Sequence, residues 1–364
     1  MSKILLTSFL FLVFKFYTNA QKNIQINESV YNQENVQIKL VIKYWSLFLN
    51  DSISLSECAN KFALPSLFSI KKYQNTSFTI SNKPTILSII PENDSIFSVK
   101  TIFSVTDNLG FSHPTSIITV PIKLSNRKCE IYEPLLFNTQ YWQKKTIDSI
   151  NFMANPNFRF EQNQIDSVNA FNHKMSDLFN VLPLPFTYIV FENKADMWRQ
   201  LGYDFQSNMF NSAMTVSRYF IFSSTNSLYN PHEIVHLYIN AKTNDSKNFW
   251  FNEGAASLLG GHRGLPLASY YLKTLSFLNK NPSIKLSNLL AYKNVDDWAD
   301  FRYVIGGLFC QIIYEKEGMK GIYKLLNTPN DEVEFYNTIK KYFGVNQDEL
   351  HGYILTKLCY YSKK

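Results

Sequence analysis

Residues 230–261 read NPHEIVHLYINAKTNDSKNFWFNEGAASLLGG and contain two histidines four positions apart. Asn230 followed by Pro231 is typical of a helix start, because Asn caps helices and Pro, which lacks an amide proton, is tolerated in the first turn. Residues four apart lie about 40° apart around the helix axis and roughly 6 Å apart along it. The spacing therefore predicts that the imidazoles of His232 and His236 project from one helix face and reach a single ion.

Two carboxylates accompany these histidines. Glu233 lies about 100° around the axis from His232, close to the ligand row without being on it, which suits a base that takes a proton from water. Glu253 follows a polar turn, on a second apolar helix that ends at a Gly-Gly pair. Two histidines and a glutamate with an open fourth position are typical of a catalytic zinc site, whereas closed structural sites usually draw on cysteine.

The alternative for this stretch is a core helix whose histidines bond to backbone groups. A His-Glu-x-x-His string is expected by chance in only about one of every few hundred such chains, and the WFNEGAA block that follows it weakens the alternative further. The sequence therefore favours a metal site.

HEIVH followed by FWFNEGAAS resembles the gluzincin metallopeptidases, which include the thermolysin-like and M1 aminopeptidase families, and most closely the peptidase MA-like domains of secreted proteins. The similarity covers approximately residues 154–355. It implies that His232, His236 and Glu253 are zinc ligands, and that Glu233 is the general base and later the proton donor.

The segment DFRYVIGGLFCQIIYEKEGMKGIYKLL, residues 300–326, resembles the helix in which M1-like enzymes carry a tyrosine three residues before a glycine. Tyr303 precedes Gly306 by three, so the resemblance implies that Tyr303 hydrogen-bonds the tetrahedral oxyanion. The alternative is a packed aromatic side chain, since the chain has 22 tyrosines.

The chain departs from these families in three places. The interval between the second histidine and the glutamate ligand, residues 237–252, is shorter than usual, so the connecting turn must be tighter. The Gly-Ala-Met-Glu-Asn element that grips a free amine in M1 aminopeptidases is missing, and NSAMTVS stands in a similar place without a Glu. Ser257 occupies the position where thermolysin-like enzymes place an aspartate that orients a zinc-bound imidazole, which affects how the ligands are tuned.

The hydrophobic patterns predict an α+β fold in two domains. An amphipathic helix at 35–51 and short β-branched runs between 76 and 133 predict a small, β-rich N-terminal α+β domain over residues 21–145. The resemblance implies that residues 146–364 form a zincin-like metallopeptidase domain, with a small mixed sheet and a mostly helical C-terminal part. A strand at 217–224 is expected to lie along the cleft and pair with an extended substrate.

Residues 1–20 have a basic start, a short apolar run and small residues near their end, and predict a secretory signal cleaved before Gln21. The alternative is an uncleaved membrane anchor, and Lys15 inside the run fits neither well. No later run is long enough to span a membrane, so a secreted, periplasmic or extracellular location is expected. The mature charge, 36 − 2 = 34 basic against 29 acidic residues, is +5 and diffuse, which argues against nucleic acid as a partner.

Four cysteines fall as two early and two late in the chain. In an oxidising compartment we expect the pairs Cys58–Cys129 and Cys310–Cys359, each within one domain, with free buried thiols as the alternative.

The remaining histidines have no partner at ligand spacing. His262, in a Gly-rich loop after the second helix, is expected to be solvated. The other three are His113, His173 and His351.

Together these features predict a secreted zinc-dependent peptidase that acts on peptide or protein substrates, with Glu233 as base and with Tyr303 stabilising the oxyanion. Endopeptidase action is favoured because no amine anchor is present. Aminopeptidase action of the M1 type is the nearest alternative. A non-catalytic zinc-containing binding module at the cell surface is the alternative from another functional class.

Overall fold

The computed structural model describes residues 24–31, 35–50, 84–126, 128–207, 213–216, 218–225, 227–243, 248–292 and 300–364. The signal-peptide interpretation of residues 1–20 and the pairing role of Cys58 lie outside these ranges. The described residues form helices and strands in two mixed sheets, so the predicted α+β class is confirmed.

The helices and strands of the described residues are numbered in chain order. The strands are β1 Gln25–Ile26, β2 Thr85–Pro91, β3 Ile96–Thr106, β4 Ser112–Ser125, β5 Lys128–Ile131, β6 Gln143–Ile147, β7 Ile150–Ala154, β8 Phe186–Val190, β9 Tyr203–Gln206, β10 Ala213–Val216 and β11 Phe220–Ser223. The helices are α1 Glu28–Tyr31, α2 Val36–Leu49, α3 Pro134–Asn138, α4 Gln162–Phe179, α5 Lys194–Gln200, α6 Pro231–Lys242, α7 Phe249–Gly260, α8 Ala268–Lys280, α9 Phe301–Glu317, α10 Met319–Leu326, α11 Glu332–Phe343 and α12 Leu350–Tyr361, with a 3-10 helix at Leu286–Ala291 between α8 and α9.

The first compact unit comprises residues 1–141 and 194–210. Its sheet has the order β1-β2-β3-β4-β5, and β9 pairs with β4. The long β3–β4 ladder forms because both strands are rich in β-branched residues, which favour extended backbone. Helix α2 buries its apolar face, and the indole of Trp45 donates a hydrogen bond of 2.8 Å to Thr101.

The second unit comprises residues 142–193 and 211–364. Its sheet has the order β10-β11-β8-β7-β6, in which β7, β8 and β11 are parallel and the two outer strands are antiparallel to their neighbours. Helices from α6 onward supply most of its buried core. We predicted one continuous domain from residue 146. The structure instead assigns 194–210 to the first unit, because β9 pairs with β4 there.

The predicted strand at 217–224 is part of a hairpin. Strand β11 lies between β10 and β8, so its backbone groups are used on both sides. The outer strands of this sheet are β10 and β6. The prediction that 217–224 pairs with a substrate is therefore wrong, because only an outer strand has a free edge.

The predicted Cys310–Cys359 disulfide is wrong, since both residues are free cysteines. Cys310 is buried on α9, with its sulfur 3.6 Å from the carbonyl oxygen of Phe251, whereas Cys359 is half-buried on α12. Burial raises the pKa of the Cys310 thiol. Packing of α9 against α7 therefore determines where this thiol points. Cys129, whose predicted partner is not described, is also a free cysteine.

Among the described residues, no helix is both long enough and apolar enough to cross a bilayer.

Candidate metal centre

Helix α6 begins at Pro231, as the sequence predicts, but the side chain of Asn230 does not cap it. Helix α7 is capped by Asn248, whose side-chain oxygen accepts hydrogen bonds from the amides of Trp250 and Phe251. A good cap fixes the first turn of a helix, and Glu253 lies in the second turn of α7.

Glycines let α7 approach both of its neighbours closely. A Cβ atom at Gly254 would overlap the backbone of Gly306 on α9. A Cβ atom at Gly260 would lie 2.6 Å from the carbonyl oxygen of Pro231 and 2.7 Å from the Cα of His232. Because only hydrogen fits at these positions, α7 packs directly on α6 and α9. This contact brings Glu253 to the histidine-bearing face of α6.

Three side-chain atoms from α6 and α7 converge on one point. His232 Nε2 lies 3.2 Å from His236 Nε2 and 3.2 Å from Glu253 Oε2, and His236 Nε2 lies 3.3 Å from the same oxygen. The three residues are 8–9% exposed. Among the described residues, they form the one group of histidine, cysteine and acidic side chains close enough to hold a metal ion.

The contacts of the two Nδ1 atoms direct both Nε2 atoms toward one point, as a cation site requires. His232 Nδ1 lies 2.8 Å from the carbonyl oxygen of Gly261, and His236 Nδ1 lies 3.3 Å from Asn252 Oδ1. Both partners are acceptors, so each ring directs its Nδ1 proton away from the cluster, and the neutral form of each ring then has a lone pair at Nε2 for a metal. Two such lone pairs and a carboxylate oxygen repel one another at this separation, so either a metal ion or a proton on Nε2 must place a positive charge among them.

The distances also fit a tetrahedral ion. Ligand atoms bonded at about 2.0–2.1 Å to a tetrahedral metal lie roughly 3.3–3.4 Å from one another. The observed separations of 3.2–3.3 Å agree with this value. His232, His236 and Glu253 could therefore hold a metal ion.

The pKa shifts of His236 and Glu253 also indicate a site for a cation. Burial lowers the pKa of His236, but the negative charge of Glu253 outweighs burial and raises that pKa to about 9. Burial raises the pKa of Glu253, but the charge of His236 and hydrogen bonds from both rings hold it well below its usual range. The cluster therefore favours a positive charge at its centre.

Ser257, at the position where thermolysin-like enzymes place an aspartate, does not orient the imidazoles. Ser257 is completely buried, and the rings are held instead by the Gly261 carbonyl and the Asn252 side chain. Such outer contacts fix the tautomer and direction of a ligand ring. The role of Asn252 was not predicted, although it directly precedes the glutamate ligand.

Glu233 is 9% exposed and does not belong to the triangle of ligand atoms. Its carboxylate Oε2 accepts a hydrogen bond of 2.7 Å from the hydroxyl of Thr215 on β10. The sequence does not predict the contact between Thr215 and Glu233, because it depends on how strand β10 packs against the start of α6.

Tyr303 and His262 lie beside the candidate metal centre. The Tyr303 ring is 5.6 Å from the His232 ring, and the His262 ring stacks on Tyr303 at 4.3 Å. Burial, with the nearby charge of Glu253, raises the pKa of the Tyr303 phenol, which therefore remains a proton donor at neutral pH.

The prediction that His262 is solvated is wrong, since the residue is 8% exposed. Arg263 and Gly264 have φ values of 48° and 77°, and His262 pairs with Leu265 across this two-residue turn. The turn folds the chain back and packs the His262 ring inward. An x-Gly turn between two flanking residues is a hairpin signal that could have been recognised.

The other three histidines do not belong to the group of ligand atoms. His113 bonds Asp107 at 2.8 Å, His351 accepts a hydrogen bond from the amide of Leu286, and His173 lines a surface groove with residues of α4 and α7.

Comparison with known proteins adds no family to this description. No protein-family model matches the chain, and no curated protein matches it. The chemistry of the site is therefore argued from its own residues.

Proposed function

We propose that the chain is a zinc-dependent peptidase. The observation that supports this proposal is the buried triangle of His232 Nε2, His236 Nε2 and Glu253 Oε2, with sides of 3.2–3.3 Å. Two imidazoles and one carboxylate with a fourth position for water are the ligand set of catalytic zinc, and softer metals are favoured by sulfur, which this set lacks.

A zinc ion held there would supply Lewis acidity, which makes a water more acidic and a carbonyl carbon more electrophilic. Glu233, one position after the first ligand on α6, takes a proton from the attacking water and later returns it to the leaving amine. Tyr303, near His232, donates a hydrogen bond to the developing oxyanion.

The substrate is an extended peptide. Strand β10 is an outer strand of its sheet and carries Thr215, which contacts Glu233. An outer strand offers unpaired backbone groups to another extended chain, which gives affinity without strong sequence preference. A peptide bound along β10 would therefore pass beside the base.

Endopeptidase action is favoured over aminopeptidase action. Thr215 stands in the AMT segment where the M1-like pattern has a glutamate, and its hydroxyl is hydrogen-bonded to Glu233. A neutral hydroxyl in that place provides no negative charge for an ammonium group. Cleavage of a peptide with a blocked amino end tests this point, and failure to cleave it while the free peptide is cleaved would favour the aminopeptidase.

The second candidate is a zinc-containing module that binds without catalysis. The presence of Glu233, buried and held by Thr215, favours the enzyme, because binding alone requires no base.

The deciding experiment is Glu233→Gln. We expect zinc content to stay near one per chain while peptide hydrolysis falls by several orders of magnitude, because the amide cannot accept the proton. Glu332→Gln, at the first residue of α11, is the matched control and should be fully active. Equal hydrolysis by wild type and Glu233→Gln would reject the mechanism, and zinc binding without hydrolysis in the wild type would favour the binding module.

We also propose that the protein is exported, on the basis of residues 1–20 alone. Expression in a secreting host followed by amino-terminal sequencing should give a mature protein that begins at Gln21. A product retained in the membrane with residues 1–20 intact would support the anchor alternative instead.

A further inference from the structure

Thr215 makes two close contacts with one residue of the proposed active site. Its hydroxyl oxygen lies 2.7 Å from Oε2 of Glu233 and 2.8 Å from the backbone carbonyl oxygen of the same residue. A hydroxyl has a single proton to donate, and both of these acceptors belong to Glu233.

The position of this hydroxyl is fixed by the sheet. Thr215 pairs with Ile221 of β11 in the antiparallel ladder, and a β-branched side chain has few accessible rotamers in a strand. The backbone of Glu233 is also fixed, because the residue lies in the first turn of α6. The hydrogen bond therefore joins two rigid elements, and among the described residues no other side chain hydrogen-bonds the Glu233 carboxylate.

We propose that Thr215 is a positioning residue that holds Oε2 of Glu233, so that Oε1 is the oxygen that exchanges a proton with the reacting water. This inference rests on the proposed peptidase function. One carboxylate oxygen held by a fixed donor cannot rotate freely, and the other is then presented in one direction, as proton transfer requires.

The chemistry is consistent before and after proton transfer. The proton moves from water to Oε1, and Glu233 becomes a neutral carboxylic acid. Its Oε2 is then a carbonyl oxygen, which still accepts the Thr215 hydrogen bond. A lysine in this place would stabilise the charged form and oppose protonation, whereas a neutral hydroxyl serves both forms with no rearrangement.

The kinetic test compares Thr215→Val with Thr215→Ser. Valine keeps the shape and strand preference but lacks the hydroxyl, so kcat should fall about tenfold or more while KM changes less than about twofold. Serine should restore kcat to within about threefold of wild type. Zinc content should be unchanged in both variants, because Thr215 contacts no ligand atom.

Thr187→Val on β8 is the matched control. The register places Thr215, Ile221 and Tyr188 in one row, so Thr187 faces the opposite side of the same sheet. This control should have wild-type kinetics. If Thr215→Val keeps the wild-type kcat, or if Thr215→Ser is as impaired as Thr215→Val, the inference is overturned.

A second measurement is independent of activity. A double-mutant cycle on thermal unfolding of the metal-free protein compares Thr215→Val in the presence of Glu233 and of Glu233→Leu. We expect the midpoint to fall by about 2–4 °C with Glu at 233, and by less than half as much with Leu, because the carboxylate acceptor is then gone.

The kinetic test and the unfolding cycle distinguish a failure of the proposed peptidase function from a failure of the proposed role of Thr215. A chain that binds zinc but hydrolyses no peptide rejects the proposed function, and the unfolding cycle then still shows whether the hydroxyl and the carboxylate are coupled. Additive shifts in the cycle overturn the role of Thr215, whatever the activity of the wild type.

Discussion

Each unit of the chain has a histidine within hydrogen-bond distance of a carboxylate, and the two sites differ in their exposure to solvent. In the first unit His113 Nε2 lies 2.8 Å from Asp107, with side chains that are 62% and 34% exposed. In the second unit His232 and His236 lie 3.2 and 3.3 Å from Glu253, with side chains that are 10–11% exposed. The chemical partners are similar, but only the second place brings three ligand atoms together.

The first-unit pair is a local structure. Asp107 also accepts hydrogen bonds from the amides of Leu109 and Phe111, so it closes the hairpin turn between β3 and β4. The hydrogen bond from His113 is the main reason that the pKa of Asp107 is lowered. Asp107 already accepts hydrogen bonds from the turn, and its one neighbouring histidine is solvent-exposed. This pair therefore lacks the set of buried ligands that a metal site requires.

The second-unit cluster depends on helix packing instead. Its three candidate ligand residues come from two helices that touch through glycine, and outside contacts orient its two rings. Convergence, burial and orientation distinguish this candidate metal site from the surface pair.

Loss of one ligand should have the largest effect. Glu253→Ala leaves two imidazoles, so we expect zinc affinity to fall at least about a hundredfold and peptide hydrolysis to be lost. His113→Ala should leave both unchanged. Competition titration with a chromophoric chelator measures the affinity. Equal zinc affinity in Glu253→Ala and wild type would show that the triangle is not the site.

Loss of close helix packing should have the next largest effect. Gly254→Ala places a Cβ atom against the Gly306 backbone, which cannot move as a side chain can, and should lower the free energy of unfolding by about 3 kcal/mol. Zinc affinity should fall as well, because Glu253 is displaced. Thermal and urea unfolding measure the stability.

Gly110→Ala in the first unit is the control for this substitution. Its φ is +87° and no atom would contact the new Cβ, so only backbone strain of about 1 kcal/mol is expected. If Gly254→Ala costs no more than Gly110→Ala, close contact between α7 and α9 is not what holds Glu253 in place.

The smallest expected effect is the release of protons when zinc binds. Glu253 raises the pKa of His236 to about 9, so metal-free protein at pH 7 carries a proton on His236 that zinc must displace. We expect about one proton to be released per zinc bound at pH 7, and fewer as the pH approaches 9. Calorimetry in buffers of different ionisation enthalpy measures this number. No proton release at pH 7 would contradict the coupling.

The same shifts give the pH dependence of the metal-free protein. The folded-state pKa of His236 is raised, so its contribution is complete below the ordinary value of 6.5 and is lost as pH rises through about 9. The folded-state pKa of Glu253 is lowered, so its contribution is complete above the ordinary value of 4.5 and is lost in acid. Stability from this cluster is therefore greatest between these two ordinary values.

Much of the candidate site could be predicted because it depends on spacing within single helices. His232, Glu233 and His236 are close in sequence, and helix geometry places them without knowledge of the rest of the chain. The α+β class followed from the change in hydrophobic pattern along the chain. The location of His262 was missed because a short turn with two positive φ values reverses the chain after α7.

Other features depend on contacts between distant segments, which periodicity does not reveal. The assignment of 194–210 to the first unit requires pairing between β9 and β4, and the free thiols of Cys310 and Cys359 follow from how α9 and α12 pack. The contact between Thr215 and Glu233 likewise requires the order of strands in the sheet.

The sequence by itself determined which residue types lie on one face of α6 and that Glu253 lies on a following helix, because local backbone geometry is nearly the same in every helix. Only the tertiary structure decided that Glu253 reaches both imidazoles, that Asn252 and Gly261 lie beside their Nδ1 atoms, and that the Thr215 hydroxyl contacts Glu233. These contacts depend on how closely helices and strands approach, which side-chain volume and packing determine across the whole unit.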